Sequence, residues 1–195
     1  MDLADAISQD IMDLSKFENI IKLVAYDSSD NKLTIYGTLE RLKNILEDQS
    51  DISAKKLVNA LGDLIDLSRF TNVIDVLVYG PNGEELTVGQ VLTRLKTMLD
   101  EQESDVIAYD LINAVSSDVL DISDFNNIIY TLTVLKDGTK LTVGQIFTRI
   151  NNLMNANCDI YTIDLTNAIS SDIMDLSKFQ NIIDLVAYDS ANNEL

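Results

Sequence analysis

Apolar side chains recur along this chain at helical intervals, in short runs set apart by polar breaks. Val88, Leu92, Leu95 and Leu99 follow one another at steps of four, three and four, the spacing that lines up one face of an α-helix. Val143, Phe147, Ile150 and Met154 repeat it, and Ile35, Leu39, Leu42 and Leu46 give an earlier version. A second set, Phe17, Ile21 and Val24, then Phe125, Ile128, Leu132 and Leu135, predicts another helix upstream of each such stripe. The stripe helices carry a start signal. Thr87 with Gln90 spells a capping box, and Leu86 with Val91 occupies the positions of a hydrophobic staple. Thr142, Gln145, Leu141 and Ile146 reproduce both devices. Ser15 with Glu18 and Ser177 with Gln180 predict the same box at the upstream helix, where Ser68 and Ser123 keep only the cap.

Between the two helices lie Asp27-Ser28-Ser29-Asp30-Asn31, Gly80-Pro81-Asn82-Gly83 and Lys136-Asp137-Gly138-Thr139. These residue types tolerate left-handed backbone or preset turn dihedrals. A competing reading exists at Ile129-Tyr130-Thr131-Leu132-Thr133-Val134, which is β-branched and aromatic and is followed by Asp137-Gly138, a β-hairpin pattern. The boxes and the three-four spacing favour helix, with short strands flanking the turns left open.

The chain also matches itself. Asp13-Leu14-Ser15-Lys16-Phe17 returns as Asp66-Leu67-Ser68-Arg69-Phe70, as Asp121-Ile122-Ser123-Asp124-Phe125 and as Asp175-Leu176-Ser177-Lys178-Phe179, at spacings of 53, 55 and 54. Asn19, Asn72, Asn127 and Asn181 follow each Phe by two residues. A block seen first as Leu3-Ala4-Asp5-Ala6-Ile7 recurs as Leu57-Val58-Asn59-Ala60-Leu61, Leu111-Ile112-Asn113-Ala114-Val115 and Leu165-Thr166-Asn167-Ala168-Ile169. The segments run 1–54, 55–109 and 110–163, with 164–195 as a partial fourth that ends at Leu195, the counterpart of Leu33. A fixed period of this size marks tandem repeats, none of which buries its apolar face alone. The expected fold is mainly α, each repeat of about 54 residues reading helix, break, helix, turn, helix.

Composition narrows the chemistry. Of 195 residues, 46% are apolar, enough for a core, and the length suits one or two domains. With 32 acidic against 14 basic side chains, no histidine and net charge −18, the chain repels nucleic acid and anionic lipid. One cysteine, Cys158, gives no disulfide framework, and without histidine no Cys/His zinc site or Ser-His or Cys-His nucleophile system is available. No apolar run reaches the length of a membrane span, and the start Met1-Asp2-Leu3-Ala4-Asp5 is acidic where a signal peptide is basic.

The acidic turn at Asp27–Asn31 invites calcium, yet it lacks the Gly and terminal Glu of an EF-hand loop, and its counterparts share no ligand set. Asp13, Asp66, Asp121 and Asp175 read as negative charge near a helix start. Gly89 and Gly144 lie inside helix starts and make no phosphate loop. Cys158 replaces the serines Ser50 and Ser104 of other segments and reads as a neutral exchange. Two roles stay open for Asn19, Asn72, Asn127 and Asn181: a local side-chain-to-backbone bond, or a polar layer setting register between identical chains. No cluster breaks the repeat as a single active site would, so no catalytic, cofactor-binding or metal residue is expected, and no enzyme activity.

Helices of about three turns are marginal alone in water, and a three-four seam suits coiled-coil packing. The recurring Asp-Leu-Ser-Lys-Phe-x-Asn-Ile-Ile and Leu-Thr-Val-Gly-Gln segments, with their turns, resemble phage virion appendages, nearest the head fibre proteins of small Bacillus phages. The resemblance covers essentially the whole chain, rests on folding signals and carries over no catalytic or binding residue. It implies an elongated, supercoiled, intertwined homotrimer, the projecting part of a virion appendage. Its further partners would be the capsid and a host cell surface, its location the virion exterior, with no nucleic acid bound and no membrane insertion. The alternative is a monomeric helical-repeat solenoid whose concave face holds a protein or peptide. Starting and stopping inside repeating material counts against that alternative.

Overall fold

A computed structural model describes residues 14–62, 64–153, 155 and 158–195. Asp13, Met154 and the block 3–7 lie outside the described residues. The chain is mainly helical. Its α-helices are α1 (Glu18–Ala25), α2 (Ile35–Asn44), α3 (Ala54–Leu61), α4 (Thr71–Val78), α5 (Val88–Thr97), α6 (Ala108–Asp118), α7 (Asn126–Thr133), α8 (Val143–Asn151), α9 (Thr162–Asp172) and α10 (Gln180–Ala187). A single 3₁₀ turn leads into each of α1, α4, α7 and α10, at Ser15–Phe17, Ser68–Phe70, Ser123–Phe125 and Ser177–Phe179. Two compact units part between Lys96 and Thr97.

The two kinds of helix start differ. At α8 the box forms in full: Gln145 N donates to Thr142 Oγ1 at 3.3 Å and Thr142 N donates to Gln145 Oε1 at 2.9 Å. Thr87 and Gln90 make the same pair at 3.2 and 2.9 Å, and Thr34 Oγ1 accepts from Gly37 N at 3.1 Å. The staple residues Leu141 and Ile146 are buried together with Ala108, and Leu135 and Val143 pack on them.

The boxes expected at Ser15 and Ser177 do not form. The cap residues themselves, Leu14, Phe17, Leu176 and Phe179 and likewise Leu67, Phe70, Ile122 and Phe125, supply no side-chain acceptor to the starts they head. Glu18 pairs instead with Lys22 at 2.8 Å, and Gln180 Nε2 donates to Asp184 at 2.8 Å. At Ser177 the preceding aspartate is the reason, as it is at Ser68 and Ser123. Asp66 Oδ1 accepts from both N and Oγ of Ser68, and Asp121 and Asp175 accept from the N–H of Ser123 and Ser177 at 3.0 and 2.9 Å. An ionised carboxylate is the stronger acceptor. It tightens the entry into a 3₁₀ turn and moves the α-helix start past the phenylalanine.

The turns have hairpin geometry with almost no strand. Asp30 N donates to Asp27 O and Asp27 N to Asn31 O, at 3.0 and 2.9 Å. Gly80–Glu84, Leu135–Thr139 and Asp189–Asn193 repeat that pair of bonds. The closing residue has positive φ every time, at Asp30, Gly83, Gly138 and Asn192, as a three-residue hairpin loop with a bulge requires. Pairing then stops after one bridge, as at Tyr26 with Lys32 and Val134 with Lys140. The helix reading therefore holds for Ile129–Thr133, because the arm entering the turn stays in α7 through Thr133. Leu135, expected on that helix, falls in the turn.

A further rung ties in an earlier helix, the start of α3, α6 or α9: Ala54 N donates to Leu86 O, Ala108 N to Leu141 O and Thr162 N to Leu195 O, at 2.7, 2.9 and 2.8 Å. Around these rungs lie the fully buried Ile52 and Val106. The buried alanines Ala60 and Ala168 let α1 pack on α3 and α7 on α9.

Candidate functional site

The stripe helices α5 and α8 are held from three sides and α2 from two. Their threonine caps fix the entry. Gly89 and Gly144 admit a close backbone approach just inside it. A Cβ on Gly89 would sit 2.6 Å from Glu47 C, beside Leu46 O, and one on Gly144 would sit 2.8 Å from Glu101 N, beside Asp100 O. In the first unit the segment just past α2 thus meets the start of α5, with Thr87 Oγ1 donating to Asp48 O at 3.3 Å, and in the second unit residues 100 and 101 lie against α8, where Thr148 Oγ1 donates to Glu101 Oε2 at 3.0 Å. Glycine is needed there for space.

The third anchor is an arginine. Arg94 Nη1 donates to the carbonyls of Val76, Leu77 and Tyr79 at 2.8, 3.1 and 2.7 Å. Arg149 does the same to Thr131 and Leu132 at 2.9 and 2.8 Å, and Arg41 reaches Tyr26 O. Each guanidinium satisfies carbonyls at the end of the preceding helix, where the dipole favours a cation. Arg149 Nε is also paired with Asp159 at 2.8 Å, its side chain only 9% exposed. Arg41 Nη2 is paired with Asp51 at 2.9 Å.

So anchored, these helices turn their apolar stripe to solvent. Leu39 is 60% exposed, Leu99 59% and Phe147 50%. Ile35, Leu42, Leu46, Leu92, Leu95 and Ile150 are exposed as well. Leu46 and Leu99 lie in the turn just past their helices. Apolar stretches of this kind mark interaction surfaces.

Each unit also carries an open groove. One, of about 540 Å³, runs between α7 and α9 with Asn127, Tyr130, Arg149, Asp159 and Asn167 among its lining. The other, of about 520 Å³, runs between α1 and α3 with Asn19, Tyr26, Arg41, Asp51 and Asn59. Lys136, at the edge of the first, pairs with Asp164 and Glu194 at 3.0 and 3.3 Å and lies 3.9 Å from the centre of the Tyr161 ring. Burial works to lower its pKa, but the two carboxylates outweigh that and raise it.

The sequence-flagged residues have ordinary employment. Asn127 Nδ2 donates to Asp172 Oδ1 at 2.6 Å, while Ile128 N donates to Asp172 Oδ2 at 2.8 Å. Asp172, at the end of α9, thus caps the start of α7, and Asn127 makes no local backbone bond. Asp27 turns its oxygens to N–H donors: Ser29 N and Asn31 N reach Oδ1, both at 2.9 Å. Its pKa is held down by the backbone and side chain of Asn31. Cys158 Sγ accepts from Ile160 N at 3.4 Å, as Ser50 Oγ does from Ile52 N at 3.2 Å. Among the described residues no three potential metal ligands gather, and no helix is long and apolar enough to cross a membrane.

The arginine anchors and Asp172 escaped sequence reasoning. The signal for the former was present, since Arg41, Arg94 and Arg149 follow the same 53 and 55 residue spacing as the Asp-Leu-Ser blocks. Comparison with known proteins finds no matching family model, no matching curated protein and no matching solved structure.

Proposed function

We propose that this chain is a non-enzymatic structural subunit. Three copies assemble through their apolar stripes into a fibre, the projecting part of a virion appendage that aids attachment to a host cell surface. Segments of about 54 residues set its length. One observation carries the reading: the stripe helices are fixed by caps and arginine anchors, with glycine contacts added at α5 and α8, yet leave Leu39, Leu92, Leu95, Phe147 and Ile150 uncovered. Each such side chain gains roughly 1.5–3 kcal/mol when fully buried, so partner chains covering the stripes would outweigh the cost of association. The virion setting rests on the resemblance of the Asp-Leu-Ser-Lys-Phe and Leu-Thr-Val-Gly-Gln segments to phage head fibres.

The open grooves favour a second reading, a monomeric solenoid that holds a protein partner. Light scattering coupled to size exclusion separates the two. One chain weighs 21.7 kDa. A mass near three chains that falls on dilution supports the fibre, and a constant single-chain mass overturns it in favour of the solenoid.

A further inference from the structure

α1 and α10 are almost the same helix. Glu18–Ala25 and Gln180–Ala187 differ only in their first residue and at Lys22 against Asp184. Their surroundings differ far more. α3 lies against α1, and Phe17, Ile20, Leu23 and Val24 are half-buried. At the matching positions of α10, Phe179 is 52% exposed, Ile182 60%, Leu185 79% and Val186 55%. α10 is seated against α9 and buries Ala187, but the face that α1 gives to α3 lies open.

The molecule shows what such a face takes. α7 carries the same Asn-Ile-Ile start as α10, at Asn127 and Asn181, and it lies against α9. α9 brings two things to it, the buried Ala168 and the carboxylate of Asp172. Asn127 Nδ2 and Ile128 N donate to the two oxygens of Asp172 at 2.6 and 2.8 Å. Asn181 and Ile182 are the counterparts in α10, and among the described residues no side chain accepts from Asn181 Nδ2 or Ile182 N. The block at 3–12, outside the described residues, repeats 165–174 except at Ala4, Asp5 and Gln9. It has Ala6 where α9 has Ala168, and Asp10 where α9 has Asp172. α1 and α7 are each covered by the block that comes next in sequence. Within the 195 residues α10 has no such block after it, and the block at 3–12 has no such helix before it.

We propose that residues 3–12 of a second copy of this chain dock on α10, joining the copies head to tail. Ala6 gives the close approach that Ala168 gives at α7. Asp10 accepts from Asn181 Nδ2 and Ile182 N as Asp172 does from Asn127 and Ile128, an ionised acceptor at a helix start. The apolar side chains of α10 are covered in the same step. Different surfaces of the two copies meet, so each joint leaves an unused α10 at one end and an unused block at the other, and further copies can add. The joint is separate from the apolar stripes and does not depend on their assembly.

The test mixes two full-length variants. Ala6→Arg spoils the block and keeps α10, whereas Leu185→Asp spoils α10 and keeps the block. Mass is read by light scattering and helicity by circular dichroism, at a salt concentration that screens the charge of −18 on each copy. The stripes are unaltered in both variants, so any mass they set is common to both. The expected result is unchanged helicity, each variant alone lighter than the unmutated chain at equal concentration, and the equimolar mixture heavier than either. Asp10→Ala should weaken the joint about tenfold, seen as a shift of the dilution curve. Unmutated mass for Ala6→Arg alone would overturn the proposal, because α10 would then be meeting something other than the block. A mixture no heavier than its components would overturn it as well, whether the block folds back on its own chain or α10 takes a different protein.

Discussion

The starts of α8 and α10 carry the same kind of signature, a hydroxyl residue followed three positions later by glutamine: Thr142 with Gln145, and Ser177 with Gln180. One closes into a reciprocal box and the other does not. Thr142 enters from extended backbone, at φ −72° and ψ 165°, because the bridge of Ile107 with Thr142 holds the preceding residues straight. Ser177 enters from a turn whose acceptor is already supplied by Asp175 two residues upstream. A capping signature thus works only where the approaching chain is extended and no stronger acceptor stands just before it.

The contrast can be pressed at several strengths. The largest effect belongs to what the firmly capped helices carry. Ile150→Asp or Leu95→Asp should disperse the proposed assembly to single chains in light scattering, and full retention of an oligomer would show the stripe to be misplaced. Within one chain, Gly144→Ala forces a methyl into the backbone of Asp100 and Glu101 and should cost about 3 kcal/mol, measured by chemical denaturation at fixed protein concentration. Thr142→Ala should cost about 1 kcal/mol. Glu18→Ala, at the box that does not form, should cost no more than a few tenths. Equal losses in those last two variants would erase the distinction drawn between the starts.

The smallest effect is on pH. Asp66, Asp121 and Asp175 have pKa values held below the usual 3.8, first by the hydroxyl and then by the N–H of the following serine. A depressed carboxyl contributes stability that is present above its unfolded value and is lost as pH falls through the folded one. The 3₁₀ entries should therefore loosen below about pH 4, while the neutral Thr-Gln boxes stay closed. Amide shifts of Ser123 and Gln145 through an acid titration read both at once. Parallel movement of the two would refute the separation.

Much of the fold was legible because its signals are local. The stripes of α5 and α8, their boxes and the turn residues Asp30, Gly83 and Gly138 all act within a few positions of themselves. The hairpin reading went astray for a definable reason. The turn at Leu135–Thr139 does have hairpin bonds, but Ile129–Thr133 can complete α7 against α9, and tertiary packing overrode the β-branched preference. The arginine anchors were hidden differently. Arg94 binds backbone carbonyls, which every residue has, so no partner side chain recurs beside it to announce the contact. Asp172 lies 45 residues from Asn127, and only the folded pairing of α7 with α9 reveals it as that helix's cap.

Those anchors bear on how the molecule breathes. A helix of eight residues, such as α4 or α7, ordinarily frays from its last turn, where carbonyls face water. Here a guanidinium gathers those carbonyls and returns the strain of any opening to a helix 15 to 18 residues further on. Opening of the last turn becomes coupled to movement of a stripe helix. Slow amide exchange should accordingly reach to the very end of α4 and α7, with the two helix types exchanging as one cooperative unit.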